Sequence, residues 1–185
     1  MASRRFLPAL ALALALAACS SPRLPEFERT LAAQPSATAA LGQWCAARRI
    51  ADPAKITAAP VRGDDGAEPA DLRQLLAIPA ARPAGYRHVR LSCGGAVLSE
   101  AHNWFVPDRL TPQMNAVLAS TDTPFGIVAA PLRFTRERLE SRRGRAGGCP
   151  RGTALSHRAL LRLPDGQPLA LVVECYTSAN LRRGH

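Results

Sequence analysis

Glu174 lies inside the apolar run Leu171-Val172-Val173-Glu174-Cys175-Tyr176 of this 185-residue chain. A carboxylate with apolar flanks costs several kcal/mol to bury unless it is paired or protonated, so it needs a partner or a ligand unless its strand is an edge facing water. Arg87 is a second such position, because strand alternation puts it on one face with Val89 and Leu91. Where both faces turn to one cavity, an Arg and a Glu converge in apolar surroundings. That pair suits a small anionic ligand with a hydroxyl, since Arg forks a carboxylate and Glu accepts from, or protonates, oxygen.

Other chemistries have less support. The histidines are His88, His102, His157 and His185, the last at the chain end, and no H-E-x-x-H or G-x-S-x-G motif accompanies them. Cys45, Cys93, Cys149 and Cys175 show no C-x-x-C spacing, so neither a metal site nor thioredoxin-like chemistry is expected. No cofactor is implied. The formal charge of +10 is almost wholly arginine, with Lys55 the single lysine. Arginine and alanine enrichment together also follow from GC-rich coding, so the charge does not point to nucleic acid. The cluster Arg142, Arg143 and Arg145 has glycines around it and no interleaved aromatics, which reads as a solvated loop with some affinity for anionic headgroups.

The start of the chain, "MASRRFLPALALALALAACSSP", has a basic head, an Ala/Leu core and then Cys19. The core is about ten residues, half of what a permanent membrane span needs. Leu16-Ala17-Ala18-Cys19 resembles a lipoprotein lipobox, so residues 1–18 are expected to be an export signal and Cys19 the lipidated residue. "SRRFL" lacks a residue for a twin-arginine signal. Residues 19–35 are expected to form a tether, 36–180 the domain and 181–185 a tail. Ser20 lacks the acidic character linked with inner-membrane retention, so the expectation is a periplasmic protein, lipid-anchored at the outer membrane.

The elements that would position Arg87 and Glu174 follow from periodicity and punctuation. "SATAALGQWCAARR" (36–49) predicts a helix capped by Ser36, "AKITAAPV" (54–61) a strand, and 67–78 a second helix after a Gly/Asp loop at 63–66. Residues 85–107 predict a hairpin turning at Gly94-Gly95, and 111–120 a helix opened by Thr-Pro. "IVAAPL" after "TDTPFG" reads as a strand, "FTRERLESRR" as a charged surface helix, and 153–178 as a hairpin around Asp165-Gly166. Five or six strands with intervening helices predict an α+β domain built on an antiparallel sheet with covering helices.

A hairpin ending in Val-Pro, then a helix, "TPFG", and a last hairpin "DGQPLALVVECYTSAN" together resemble the chorismate pyruvate-lyase family, over about residues 42–180. The resemblance is most specific at T-P-[LF]-G and G-x-P…E-x-[FY]-x-x-A. It implies an antiparallel sheet with an internal ligand cavity closed by helical flaps, and elimination of pyruvate from chorismate to give 4-hydroxybenzoate without metal or cofactor. By this resemblance the product-binding arginine falls on Arg87, with Arg90 as the alternative. The pocket glutamate falls on Glu174, with one extra residue after Pro168 that suggests a bulge. The backbone contact falls on Phe125 and Gly126, and a flap residue on or near Trp44. His102-Asn103 stand where the family has Gly-Arg, which removes one cationic contact at Asn103, about 1.5–3 kcal/mol. Chorismate is a cytoplasmic metabolite and the leader points to export, so the alternative is a non-catalytic, lipid-anchored, monomeric module that binds a small aromatic carboxylic acid. A related fold senses ligands in some transcription regulators, but no helix-turn-helix is evident here, and no nucleic-acid partner is expected.

With Cys19 lipidated, four cysteines remain in an exported chain, which suggests two disulfides and allows three pairings. Parity puts Cys93 on the Arg87 face and Cys175 away from Glu174, which disfavours a Cys93–Cys175 bridge. The pairing expected is Cys45 with Cys93 and Cys149 with Cys175.

Overall fold

A computed structural model of the chain describes residues 23–63 and 67–182. The leader at 1–18, Cys19, the loop residues Asp64 to Gly66 and His185 lie outside the described residues. Among the described residues, no helix is long and apolar enough to cross a membrane.

The structure is a six-stranded antiparallel sheet in the order β1-β2-β3-β6-β5-β4. The strands are β1 (Ile56–Pro60), β2 (Gly85–Cys93), β3 (Ala96–Phe105), β4 (Thr135–Arg143), β5 (Thr153–Arg162) and β6 (Pro168–Thr177). Each half is a three-strand meander, and the halves join through β3 and β6. Gly94, at φ 53, makes the tight β2 to β3 turn possible. Leu169 is the extra residue of β6, because Leu161 opposes Ala170 while Arg162 opposes Pro168. This is the bulge expected between Pro168 and Glu174.

Helices cover one face of the sheet. They are α1 (Arg23–Ala32), α2 (Ala37–Arg48), α4 (Pro112–Ser120) and α5 (Phe125–Val128), while α3 (Leu72–Leu76) packs on the other face. The α2 helix begins where Ser36 Oγ accepts from the Ala39 N–H at 3.1 Å. It buries Ala40, Leu41, Trp44 and Cys45, spaced to form one helical stripe against β1 and β2. Thr111 caps α4 in the same way, with Pro112 at its first position.

Cys45 is bonded to Cys93 and Cys149 to Cys175, with Cα separations of 6.3 and 5.4 Å. Cys93 points toward α2 on the Arg87 face and Cys175 toward the opposite face, so strand parity separates the two bridges.

Three expectations are corrected. Residues 23–32, expected within the tether, form α1, because Phe27 and Leu31 recur at helical spacing and bury against Trp44 and Tyr176. "IVAAPL" is the end of α5 and a 3-10 turn (Ala130–Leu132), not a strand, since Pro131 stops any ladder. "FTRERLESRR" contains β4 instead of a surface helix. Charged residues on both sides of an edge strand mimic an amphipathic helix, and they also guard such an edge against pairing with another chain.

Candidate functional site

Glu174 is buried with its side chain 6 % exposed, and its partner is Arg136 of β4. The two strands flank β5, on which His157 stands directly opposite Glu174. Arg136 donates through Nη2 to Glu174 Oε2 and through Nε to Oε1 at 3.4 Å, a fork onto the carboxylate. Tyr176, two residues along the same face of β6, donates its hydroxyl to Oε2 at 2.8 Å. Both carboxylate oxygens are therefore engaged.

Electrostatics fixes the charge states. Arg136 Nη2 lies 3.1 Å from His157 Nδ1, and a guanidinium only donates, so Nδ1 accepts and His157 carries its proton on Nε2. Burial pushes the imidazole pKa down to about 4; the Glu174 carboxylate opposes this and the Arg136 charge adds to it. Burial would also lower the Arg136 pKa, but the Glu174 charge outweighs it and the net shift is upward. Tyr176 is held well above its ordinary value, first by burial and then by the adjacent carboxylate. The site is a fixed charge pair with two neutral neighbours.

The space above this pair is small. A pocket of about 30 Å³ is lined by Glu174, Arg136, Asn103, Phe125 and Gly126, with Ser36, Thr38 and Val89 among the other walls. That is room for one or two waters. The first N–H groups of α5, on Phe125 and Gly126, have no carbonyl acceptor among the described residues. At Gly126 an added Cβ would lie 2.9 Å from Thr38 Oγ1 and 3.1 Å from Ser36 Oγ, so the glycine lets α5 close down on the start of α2.

Arg87 shares the sheet face of Glu174 but is turned away from it. It donates to the carbonyls of Thr123 and Thr121, both at 3.0 Å, and lines a different, open pocket of about 670 Å³. The expected convergence of Arg87 with Glu174 is thus replaced by Arg136, with Arg87 holding the turn that carries Phe125 and Gly126. Arg90 stands on the opposite face, exposed and paired with Glu100. Trp44 is core: it packs on Phe27 and donates from its indole to the Asn180 carbonyl at 3.2 Å. Asn103 reaches the inner pocket, with its amide 3.5 Å from the Arg87 carbonyl. Phe125 forms the pocket roof, its ring 5.5 Å from that of Phe105.

Arg136, His157 and Tyr176 were missed from the sequence. Tyr176 was legible, since position i+2 on a strand shares the face of Glu174. Arg136 was hidden because its strand read as a helix.

No model of a protein family matches the chain. The uncharacterized protein y4mC of Sinorhizobium fredii is 40 % identical over 174 residues, covering 84 % of this chain and 73 % of the relative. The chain belongs to the y4mC family. Two solved structures are also similar. The possible transcriptional regulator YydK of Bacillus subtilis has a TM-score of 0.47 at 11 % identity, over 69 % of this chain and 61 % of that one. The ligand-binding domain of a proposed GntR-family regulator of Bordetella bronchiseptica has a TM-score of 0.47 at 14 % identity, over 60 % and 78 %.

Proposed function

We propose that this domain is an exported module, lipid-anchored through Cys19 at the periplasmic side of the outer membrane, that binds a small aromatic carboxylic acid beneath the Phe125–Gly126 turn. The supporting observation is the buried Arg136–Glu174 pair at the floor of a pocket whose walls include Phe125 and Gly126. A ligand carboxylate would take the Phe125 and Gly126 N–H groups, its ring would pack on Phe125 and Val89, and a ring hydroxyl would share the Glu174 carboxylate. A space of about 30 Å³ admits such a ring only when α5 lifts, so binding is coupled to opening.

The lyase reading, elimination of pyruvate from chorismate, rests on the T-P-F-G and G-x-P…E-x-Y-x-x-A resemblance. It ranks second because Arg87, on which the resemblance puts the product-binding role, is held by the Thr121 and Thr123 carbonyls instead of reaching the Glu174 pocket. Calorimetric titration with 4-hydroxybenzoate tests the first reading, and no saturable binding would overturn it. Incubation with chorismate, read as 4-hydroxybenzoate absorbance, tests the second. Turnover above the spontaneous rate that is lost in Glu174→Gln would reverse the ranking. Metabolic labelling with an acyl analogue, absent in Cys19→Ser, tests the anchor.

A further inference from the structure

A second concavity lies outside the pocket, between the start of α2, the entry to β1 and α5, with a volume of about 650 Å³. Its walls include Ala39, Gly42, Ile127 and Phe134. Ile127 is 50 % exposed, the one large hydrophobic side chain left exposed among the described residues. A concavity of that volume with an exposed apolar side chain in its wall is in the size range of small-molecule sites. Two cations line the same groove: Lys55, the only lysine of the chain, and Arg133. Neither has an ion pair among the described residues.

We infer that this groove binds an amphipathic anion, specifically a single-chain fatty carboxylate. The hydrocarbon chain lies along Ala39, Gly42, Ile127 and Phe134, where each CH2 leaves water. The carboxylate sits at Lys55 and Arg133, which line the groove and have no ion pair among the described residues. A neutral apolar ligand would leave both cations without a role, and a small polar anion would leave the apolar wall wet. The strongly positive chain favours the approach of any anion. Ser36, Thr38 and Gly126 separate the groove from the inner pocket, so this inference does not rest on an aromatic acid binding inside.

The test is a titration of the full-length chain carrying Cys19→Ser with sodium dodecanoate below its micelle concentration, by displacement of a fluorescent fatty-acid probe. The expected result is saturable one-to-one binding that tightens roughly two- to fourfold per CH2 from octanoate to dodecanoate. Dodecanol should bind roughly tenfold more weakly, and the double variant Lys55→Glu/Arg133→Glu should weaken dodecanoate by a similar factor. Ile127→Asp, at a half-exposed site, should weaken it at least as much. Asn103→Ala, inside the inner pocket, should leave it unchanged. Absence of saturable binding, indifference to the groove variants, or loss in Asn103→Ala would each overturn the assignment. Failure of 4-hydroxybenzoate to bind would leave it standing.

Discussion

Arg136 and Glu174 stand 38 positions apart in sequence and two strands apart in the sheet, yet they form a fork-to-carboxylate pair with each side chain 6 % exposed. A buried pair costs desolvation on both sides and is repaid only while both partners are present. Arg136→Met or Glu174→Gln alone should lower stability by about 3–5 kcal/mol, through an uncompensated charge. Arg136→Met combined with Glu174→Leu should cost less than either single change. Urea unfolding of the four proteins measures this, and additive losses would contradict it.

Arg87 fixes the turn that roofs the pocket, through the Thr121 and Thr123 carbonyls. Arg87→Ala should cost about 1–3 kcal/mol and speed amide exchange across 121–128. Arg87→Lys should not restore protection, since one ammonium cannot span two carbonyls as a guanidinium does. Unchanged exchange in Arg87→Ala would show that the turn holds itself.

At Gly126 the space for a side chain is already filled by Thr38 Oγ1 and Ser36 Oγ. Gly126→Ala should destabilise by about 1–3 kcal/mol, the usual cost of overpacking. Thr38→Ala should recover part of the loss in a double-mutant cycle. A neutral Gly126→Ala would show that α5 is not seated as tightly as the structure has it.

His157 gives the protein an acid sensitivity. Its folded pKa of about 4 lies below the ordinary 6.5 because the ring is buried, so between those values the unfolded chain binds the extra proton. Stability is therefore complete above pH 6.5 and falls as pH drops toward 4, by up to about 3 kcal/mol. His157→Gln should flatten that slope in unfolding midpoints measured from pH 7 to 4. An equal slope in the variant would move the effect elsewhere.

The Cys45–Cys93 and Cys149–Cys175 bridges close loops of 48 and 26 residues. Removing either by serine should cost about 3–4 kcal/mol. Non-reducing peptide mapping should recover these two pairs, and a Cys93–Cys175 peptide would contradict the strand parity.

Much of the frame was legible because local rules and tertiary context agree there. Ser36 and Thr111 cap helices where a hydroxyl precedes an apolar stripe, and Gly94 turns a hairpin. Side-chain parity along β2 and β6 disfavoured a Cys93–Cys175 bridge, and the expected pairing is the one found. Legibility failed where local pattern and tertiary context diverge. The edge strand β4 carries charge at six of its nine positions, on both faces, so its alternation vanished and Arg136 vanished with it. Arg87 shares a sheet face with Val89 and Leu91 as alternation predicts, but a long side chain reaches partners that parity cannot name, in this case two carbonyls 34 and 36 residues away. The α1 helix was lost because Pro25 and the polar start of the segment resemble a linker, while Phe27 and Leu31 carry the helical spacing alone.

The meander layout has a further consequence for biogenesis. Cys45 and Cys93 both belong to the half that ends at Phe105, and Cys149 and Cys175 both belong to the half that begins at Thr135. Each bridge is thus complete within a contiguous stretch, and these four cysteines pair consecutively in chain order, the order in which a growing chain presents them. The first bridge can close while β4 to β6 are still being delivered, leaving β3 as a temporary open edge until β6 arrives. Among Cys45, Cys93, Cys149 and Cys175, pairing in order of synthesis yields the two native bridges without reshuffling.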